Sequence, residues 1–443
     1  MTLLNGNKMT LSPSKKNNRI EFDIANYFMS YNYIINHKKE KLLYLYENGV
    51  FYEAEDDIRN IITSYFDTVF IDEIYSIRKV NNIIAILKSR VGIYKEMEGK
   101  YINCCNGWLE LVNDEWILHE HISRIYHEDI YFTPPVFFNQ LPIEYIPKAE
   151  SQLIDQIFED LVGFKKVPII YKMLSYFMMD HVKYQKAFLF YGPPGTGKTT
   201  FIDIIYKFLG RSLIGEERLQ NLSGRWNLGF IYNKWVNIWD DLDAYSIKRT
   251  DIFRMLVTNN FLSCELKRLR KKIQFKNRIK LLYTCNKLPE IPLYIGDEFF
   301  RRWIILECIN EKEETPYLLD KIDNIELSGL LNKILPYYIS LLNDGFGIEW
   351  KDFSYIKNMW TIESNPLDLF ISECCWLETG ARTDYNEFII KLNDFRAKHN
   401  GNPISKAKCT TALNKLGVTV VRSTHQKFYE NIRLKEKVGI DGY

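Results

Sequence analysis

The residues best suited to chemistry lie in Gly192-Pro193-Pro194-Gly195-Thr196-Gly197-Lys198-Thr199, followed by Thr200. The spacing G-x-x-x-x-G-K-T is that of a loop that wraps a polyphosphate. Its glycines let backbone N–H groups turn inward with no Cβ in the way, and the N-terminus of a following helix adds partial positive charge. On this reading residues 192–200 cradle ATP, Lys198 reaches the β- and γ-phosphates, and the Thr199 hydroxyl holds Mg²⁺. Such a loop must be carried by a strand and lead into a helix. Ala187–Tyr191 is a short apolar run, and Phe201–Leu209 is apolar at helical spacing, so both flanks fit. The competing reading, a glycine-rich turn with no ligand, has no use for those flanks.

Lys234-Trp235-Val236-Asn237-Ile238-Trp239-Asp240-Asp241 reads as an apolar strand ending in two carboxylates, the Walker B pattern. Asp240 would bind Mg²⁺ through its water shell, and Asp241 would orient and deprotonate an attacking water. A strand end with solvated carboxylates is the plain alternative; the position of the pair downstream of Lys198 favours the catalytic reading. A further buried strand, Ile279–Cys285, ends at Asn286, a polar residue placed to hold the water between Asp241 and the γ-phosphate, or simply to make a turn. Gly296–Leu306 then sets Arg301 and Arg302 just before a last strand. An arginine there can reach a γ-phosphate bound by a neighbouring copy and neutralise charge in the transition state, with Arg301 favoured; the alternative is a surface pair.

Between these motifs, Glu265–Arg278 carries seven basic residues (Lys267, Arg268, Arg270, Lys271, Lys272, Lys276, Arg278) against one acidic residue. The alternation suits a hairpin with a charged tip. Phosphate contacts from such a tip give affinity that is independent of base sequence and sensitive to salt. A solvated charged loop is the alternative.

The order phosphate loop, Walker B, basic hairpin, Thr284-Cys285-Asn286-Lys287-Leu288-Pro289 and Arg301-Arg302 resembles that of superfamily 3 helicases, of the poxvirus-type and phage- or plasmid-primase-associated group. Asn106-Gly107 with the hairpin after it looks like the N-terminal region of that group, and Glu326-Leu327-Ser328-Gly329-Leu330-Leu331-Asn332 like its helical signature after the core. Gly-Pro-Pro-Gly-Thr-Gly in the phosphate loop is nearer to AAA+ ATPases in general. The resemblance implies a homo-oligomer, a hexameric ring with the basic hairpin in its channel. It would hydrolyse ATP with Mg²⁺ to move along single-stranded DNA and unwind duplex DNA in replication, with a primase or polymerase as a further partner. Two other readings stay open: an AAA+ protein remodeller, and an initiator that binds DNA without unwinding it.

The 443 residues, with 46% hydrophobic and 26% charged, describe a globular chain with ample core and room for several domains. A formal charge of +2 leaves no global affinity for nucleic acid, so any such surface is local. The N-terminus lacks the apolar stretch of a signal peptide, and no run reaches the length of a membrane span. Eight cysteines without a C-x-x-C motif read as reduced core thiols, which places the chain in the cytoplasm and argues against zinc. His119, His121 and His127 lie close together, but in a pattern that suits loops better than a metal.

The expected fold is α/β: an AAA+ phosphate-loop core with a parallel sheet, a mixed helical N-terminal region and a C-terminal winged-helix domain. The expected divisions are a disordered tail (1–20), an N-terminal helicase-associated domain (21–150), the superfamily 3 core (151–310), a helical lid (311–364) and the winged-helix domain (365–443). A hairpin signal flanks Asn48-Gly49, a second hairpin is expected over Trp108–Leu111 and Trp116–Leu118 after Asn106-Gly107, and helices are expected over Asp56–Phe66, Val80–Val91, Asp384–Lys398 and Ser405–Leu416. Short strands at Val418–Val421 and Phe428–Leu434 complete the winged-helix pattern. Lys391–Lys437 holds eleven basic and three acidic residues, and Lys406 and Lys408 on the second helix are candidate contacts to duplex DNA. A solvated face on a small interaction domain is the alternative.

Overall fold

The computed structural model of the chain describes residues 20–31, 33–37, 40–69, 77–92, 100–121, 135–219, 221–223, 227–242, 247, 250–266, 271–289, 291, 295–308, 310, 317–347, 353–364, 366–398, 403–414, 416–423 and 426–435. Residues 1–19 of the expected tail and His127 lie outside them, and Ile20 is helical. The chain divides into two compact units, one drawn from Met1–Gln152, Ile205–Leu213 and Asp320–Leu335, the other from Leu153–Ile204, Ile214–Leu319 and Pro336–Tyr443.

The first unit begins with α1 (Ile20–Tyr31), the strands β1 (Ile34–Asn36), β2 (Leu43–Glu47) and β3 (Val50–Glu53), then α2 (Glu55–Val69) and α3 (Ile77–Arg90). The strands form an antiparallel sheet in sequence order. Glu47 pairs with Val50 across the two-residue Asn48-Gly49 turn, as its composition predicts. Apolar residues at helical spacing bring Ile24, Phe28, Ile58, Ile62, Ile83 and Leu87 into one core with Leu43 and Leu45. Three acidic residues, Glu55, Asp56 and Asp57, open α2 at its positive end.

The second expected hairpin is instead a three-stranded meander of β4 (Tyr101–Cys104), β5 (Gly107–Val112) and β6 (Glu115–His119). It turns at Cys105-Asn106 and again at Asn113-Asp114, where both residues take positive φ. His119 Nε2 lies 3.0 Å from Glu110 Oε2 with its ring stacked on Trp108, and His121 Nε2 lies 2.8 Å from the Cys104 carbonyl. Each is engaged locally, and among the described residues no three His, Cys, Asp or Glu side chains gather as a metal site of their own. None of the eight cysteines forms a disulfide. Burial pushes the Cys104, Cys308 and Cys375 thiols up to about 12, which makes them poor nucleophiles; Cys105 is exposed, contrary to the expected core position.

The helix α9 (Asn324–Asp344) opens on Asp323, whose carboxylate accepts from the Ile325 and Glu326 N–H groups. Its apolar stripe, Leu330, Leu331, Ile334, Leu335, Tyr338 and Leu341, is buried. Residues 146–151 lie along its first turns. Ser328 Oγ accepts from the Ile146 N–H at 2.7 Å, and Asn332 Nδ2 donates to the Ile146 and Ala149 carbonyls at 3.0 and 3.1 Å. Gly329 lets that backbone approach: a Cβ there would sit 2.2 Å from the Glu150 carbonyl carbon. Alanine in place of a mid-helix glycine ordinarily stabilises by about 1 kcal/mol. Gly329→Ala is expected to do the reverse and cost about 2–4 kcal/mol, read from urea unfolding. A rise in stability would show that the segment is not pinned at this position.

The second unit opens with α4 (Leu153–Val162), α5 (Val167–Met178), β7 (Ala187–Tyr191), α6 (Lys198–Leu209), β8 (Ile214–Gly215), β9 (Val236–Trp239) and α7 (Thr250–Val257). It continues with β10 (Phe261–Leu266), β11 (Lys271–Lys276), β12 (Lys280–Cys285), α8 (Asp297–Phe300) and β13 (Trp303–Glu307). Five strands form a parallel sheet in the order β13-β7-β12-β9-β8, consistent with a phosphate-loop core. β7, β12 and β13 read as continuous apolar runs because parallel strands are covered on both faces. The strand that follows β7 in the chain, β8, sits at the far edge of the sheet. The chain therefore leaves β7 over its neighbours, and the crevice at the carboxyl end of β7 is where such sheets take ligands.

Below that end, Trp303 stacks on Phe253 at 4.5 Å and packs with Phe299 and Trp360, whose Nε1 donates to the Pro289 carbonyl. Lys280 is buried at the start of β12 and donates to the Met179 and Phe177 carbonyls after α5, over the Tyr176 ring. Burial pulls its pKa well below the usual lysine range, with Asp180 opposing. Between that depressed value and the unfolded one the folded chain binds fewer protons, so stability rises with pH across the window and falls as pH drops through it. Lys280→Met is expected to remove a slope of up to about 1.4 kcal/mol per pH unit over the interval just below the ordinary lysine pKa. Parallel stability curves for the two proteins over that interval would contradict this.

The remaining elements are α10 (Ser354–Ser364), α11 (Pro366–Cys374), β14 (Cys375–Trp376), β15 (Arg382–Asp384), α12 (Tyr385–Lys398), α13 (Lys406–Asn414), β16 (Thr419–Arg422), β17 (Lys427–Glu430) and β18 (Arg433–Leu434). Strands β15, β17 and β16 form an antiparallel sheet, and β14 pairs with β18. The single strand expected over Phe428–Leu434 breaks at Asn431, whose φ of +72° ends the β17 ladder. Asp384 caps α12, and Phe370, Phe388, Leu392, Leu413 and Tyr429 form a separate core. Among the described residues no helix is long and apolar enough to cross a membrane.

Candidate functional site

The carboxyl ends of β7, β12 and β9 lie side by side and carry most of the residues singled out from the sequence. Gly192 follows β7 and packs against Cys308, after β13, so closely that a Cβ would sit 1.9 Å from the Cys308 carbonyl oxygen. The loop turns back through Pro193, Pro194, Gly195, Thr196 and Gly197 into α6, where Phe201 N–H donates to the Gly197 carbonyl. Thr196 is buried and donates to the Pro193 carbonyl at 3.1 Å. Lys198 Nζ is folded against the loop, 2.8 Å from the Gly192 and Pro193 carbonyls and 3.2 Å from Thr196 Oγ1. Burial lowers its pKa, while the Cys308 and Cys285 thiols and the carboxylates of Asp240 and Asp241 hold it up. Thr199 is exposed and Thr200 half-buried on the first turn of α6.

The two metal candidates meet: Thr199 Oγ1 donates to Asp240 Oδ2 at 3.0 Å. A hydroxyl and a carboxylate are hard oxygen donors of the kind Mg²⁺ takes. The two water-handling candidates meet as well, with Asn286 Nδ2 donating to Asp241 Oδ1 at 3.3 Å. Asp240, Asp241 and Asn286 are all exposed. Sequence reasoning gave no role to Thr284, the first residue of the Thr284–Pro289 motif; it is fully buried in β12, donates to Asp240 Oδ1 and accepts from the Asp241 N–H at 2.8 Å. The one signal available was a hydroxyl residue in an otherwise apolar strand.

Arg301 and Arg302 lie at the opposite end of the sheet, between α8 and β13, where the Arg302 carbonyl accepts from Ala187 N–H at the start of β7. A five-residue strand separates that edge from the phosphate loop, about 16 Å. The structure divides the pair. Arg302 is 6% exposed and its guanidinium donates to the Glu298 carbonyl at 2.6 Å. Burial lowers its pKa, as do Arg301 and Arg254. Arg301 is exposed, and its carbonyl accepts from Lys186 Nζ at 2.6 Å.

The basic segment forms the expected hairpin, β10 against β11, closing between Leu266 and Lys271. Leu262, Cys264, Ile273 and Phe275 face the core, while Lys272 and Lys276 are exposed. Lys267, Arg268 and Arg270 lie outside the described residues, and Lys271 is placed by its backbone in β11. The base of the hairpin is fixed by buried Asn277, which donates to the Leu256 and Thr258 carbonyls. In the C-terminal part, Lys406 Nζ donates to Asn386 Oδ1, and Lys406 and Lys427 both approach the Tyr385 ring, at 5.8 and 5.9 Å. Lys408 is on α13. Part of the local positive charge is paired: Lys391 with Glu387, and Arg433 with Glu378.

Residues 190–302, from the phosphate loop to the arginine pair, match a family described as a family of unknown function (DUF5906). The chain is 30% identical over 155 residues to the protein AAA-ATPase At3g28610 of Arabidopsis thaliana, a match covering 34% of this chain and 30% of that protein. The chain thus spans less than a third of the length of that curated relative. Among solved structures, the A form apo structure of the NrS-1 C-terminal region aligns over 92% of this chain and 98% of that one, with 12% identity and a TM-score of 0.46. An apo structure of residues 305–718 of the same region aligns over 94% and 100%, also at 12% identity and a TM-score of 0.46.

Proposed function

We propose that the chain is an ATP hydrolase of the AAA+ kind that works as a DNA helicase in replication, assembled as a ring. The observation that carries this reading is the meeting of Lys198, Thr199, Asp240, Asp241 and Asn286 at the carboxyl ends of three adjacent parallel strands. The similarity to an AAA-ATPase supports the hydrolase part. Backbone N–H groups of the loop and the α6 N-terminus take the phosphates, and Lys198 swings from its loop carbonyls to the γ-phosphate. Thr199 and Asp240 would hold Mg²⁺, which would supply charge neutralisation on the phosphates. Asn286 and Asp241 hold the attacking water; its proton passes to Asp241 as its oxygen bonds the γ-phosphorus and the bond to ADP breaks.

Arg301, a strand's length from its own phosphate loop, acts on the nucleotide of the next copy. The assembly is then head-to-tail and closes as a ring, with a hexamer as the closed form. The β10–β11 hairpin follows directly from the strand order, since it lies between Asp241 and Asn286 in the chain; hydrolysis moves it, and its lysines and arginines drag one strand. Helices α11–α13 with the β16–β17 ribbon act as a winged-helix module on duplex DNA.

The test is strand displacement on a forked DNA duplex, with ATPase rates measured with and without single-stranded DNA. Wild-type protein is expected to separate the strands with ATP and Mg²⁺, and single-stranded DNA to raise its ATPase rate. ATPase activity indifferent to DNA, with no strand displacement, would point to a protein remodeller. Salt-sensitive duplex binding without displacement would point to an initiator.

A further inference from the structure

Thr284 joins both acids at the end of β9 and holds the backbone on either side of the second. Its hydroxyl donates to Asp240 Oδ1 and accepts from the Asp241 N–H at 2.8 Å, and its carbonyl accepts from the Leu242 N–H, also at 2.8 Å. Asp241 lies in the left-handed region, with φ +57°. Aspartate tolerates this region better than most residues, and here the two Thr284 bonds on either side of Asp241 hold it there. The turn has a chemical consequence. It leaves Asp240 Oδ2 facing Thr199 and Asp241 Oδ1 facing Asn286. Thr284 is fully buried, so water does not compete for either bond of its hydroxyl.

We infer that Thr284 is a positioning residue for hydrolysis: one hydroxyl sets the Asp240 carboxylate toward the metal and fixes the turn that sets Asp241 toward the water. This inference rests on the ATPase reading. Thr284 acts through the two acids. Serine supplies the same hydroxyl. Valine keeps the shape but offers no donor to Asp240 and no acceptor for the Asp241 N–H, which would then be left without its partner.

The test uses the full-length chain and compares wild type, Thr284→Ser and Thr284→Val in ATPase assays with ATP and Mg²⁺ each titrated. Thr284→Val is expected to lose about a hundredfold in kcat with KM for ATP within about threefold, and to need about tenfold more Mg²⁺ for half-saturation. Thr284→Ser is expected to stay within about threefold of wild type. A valine variant with wild-type kcat overturns the inference, and so does an equal loss in the serine and valine variants, which would assign the effect to packing. Should Thr284→Val fail to fold, Thr284→Ala against Thr284→Ser puts the same question to the hydroxyl. A wild-type chain with no ATPase activity overturns the hydrolase reading itself, a result distinct from any difference among the variants.

Discussion

Lys198→Ala is expected to lower ATP turnover by at least about a hundredfold and to abolish strand displacement, because the fold places its ammonium at the phosphate loop beside both acids. The effect should be chemical rather than structural. Alanine removes the donor to two loop carbonyls, but the neighbouring Thr196 bond, the Gly192–Cys308 approach and the start of α6 do not depend on it. The thermal midpoint should therefore move by only a few degrees. Circular dichroism and ATPase assays on the same preparation measure both quantities. Turnover within tenfold of wild type would remove Lys198 from the mechanism.

Arg301 and Arg302 are expected to fail in different ways. Arg301→Ala removes an exposed guanidinium and should leave stability and nucleotide binding near wild type, while turnover in the assembled protein falls by about a thousandfold or more, as when an arginine finger is lost. Arg302→Ala withdraws a buried side chain that donates to the Glu298 carbonyl, at the end of the sheet that carries Trp303 and its aromatic neighbours. It should cost about 2–3 kcal/mol of stability, and its effect on turnover should follow the fraction folded. Thermal unfolding, nucleotide binding and ATPase rate separate the two. The reverse pattern, a stable but inactive Arg302→Ala beside an active Arg301→Ala, would reassign the trans-acting residue.

Much of the site was legible because its chemistry demands particular residues at fixed spacing. A lysine and a threonine after a glycine loop, two adjacent acids closing an apolar run and an asparagine closing another are local signals, and the parallel sheet brings their strand ends together. What stayed hidden depends on partners distant in the chain. Thr284 looks like any threonine in a buried strand until its bond to Asp240, 44 residues away, is seen. Arg301 and Arg302 are adjacent and chemically alike; only the way α8 turns into β13 buries one and exposes the other. The helical stretch Glu326–Asn332 was noticed as a pattern, but the reason Ser328, Gly329 and Asn332 stand in it is the backbone of residues 146–151 laid against them. The β4–β6 meander was read one strand short: Trp108–Leu111 and Trp116–Leu118 stood out as a pair, whereas β4, a strand of four residues before Asn106-Gly107, carries no alternation of its own. The basic hairpin was read correctly as two strands, since its alternation needs no distant partner.

The division of each site between two copies is tested most directly by mixing two inactive proteins. Lys198→Ala keeps Arg301, and Arg301→Ala keeps Lys198, so each supplies what the other lacks when they sit side by side. With the two variants exchanged into common assemblies at equal amounts, random neighbours leave about a quarter of the sites complete, and ATPase activity is expected to return to about a quarter of wild type. If the mixture stays as inactive as its components while the subunits demonstrably exchange, Arg301 does not act across a subunit boundary and the account is contradicted.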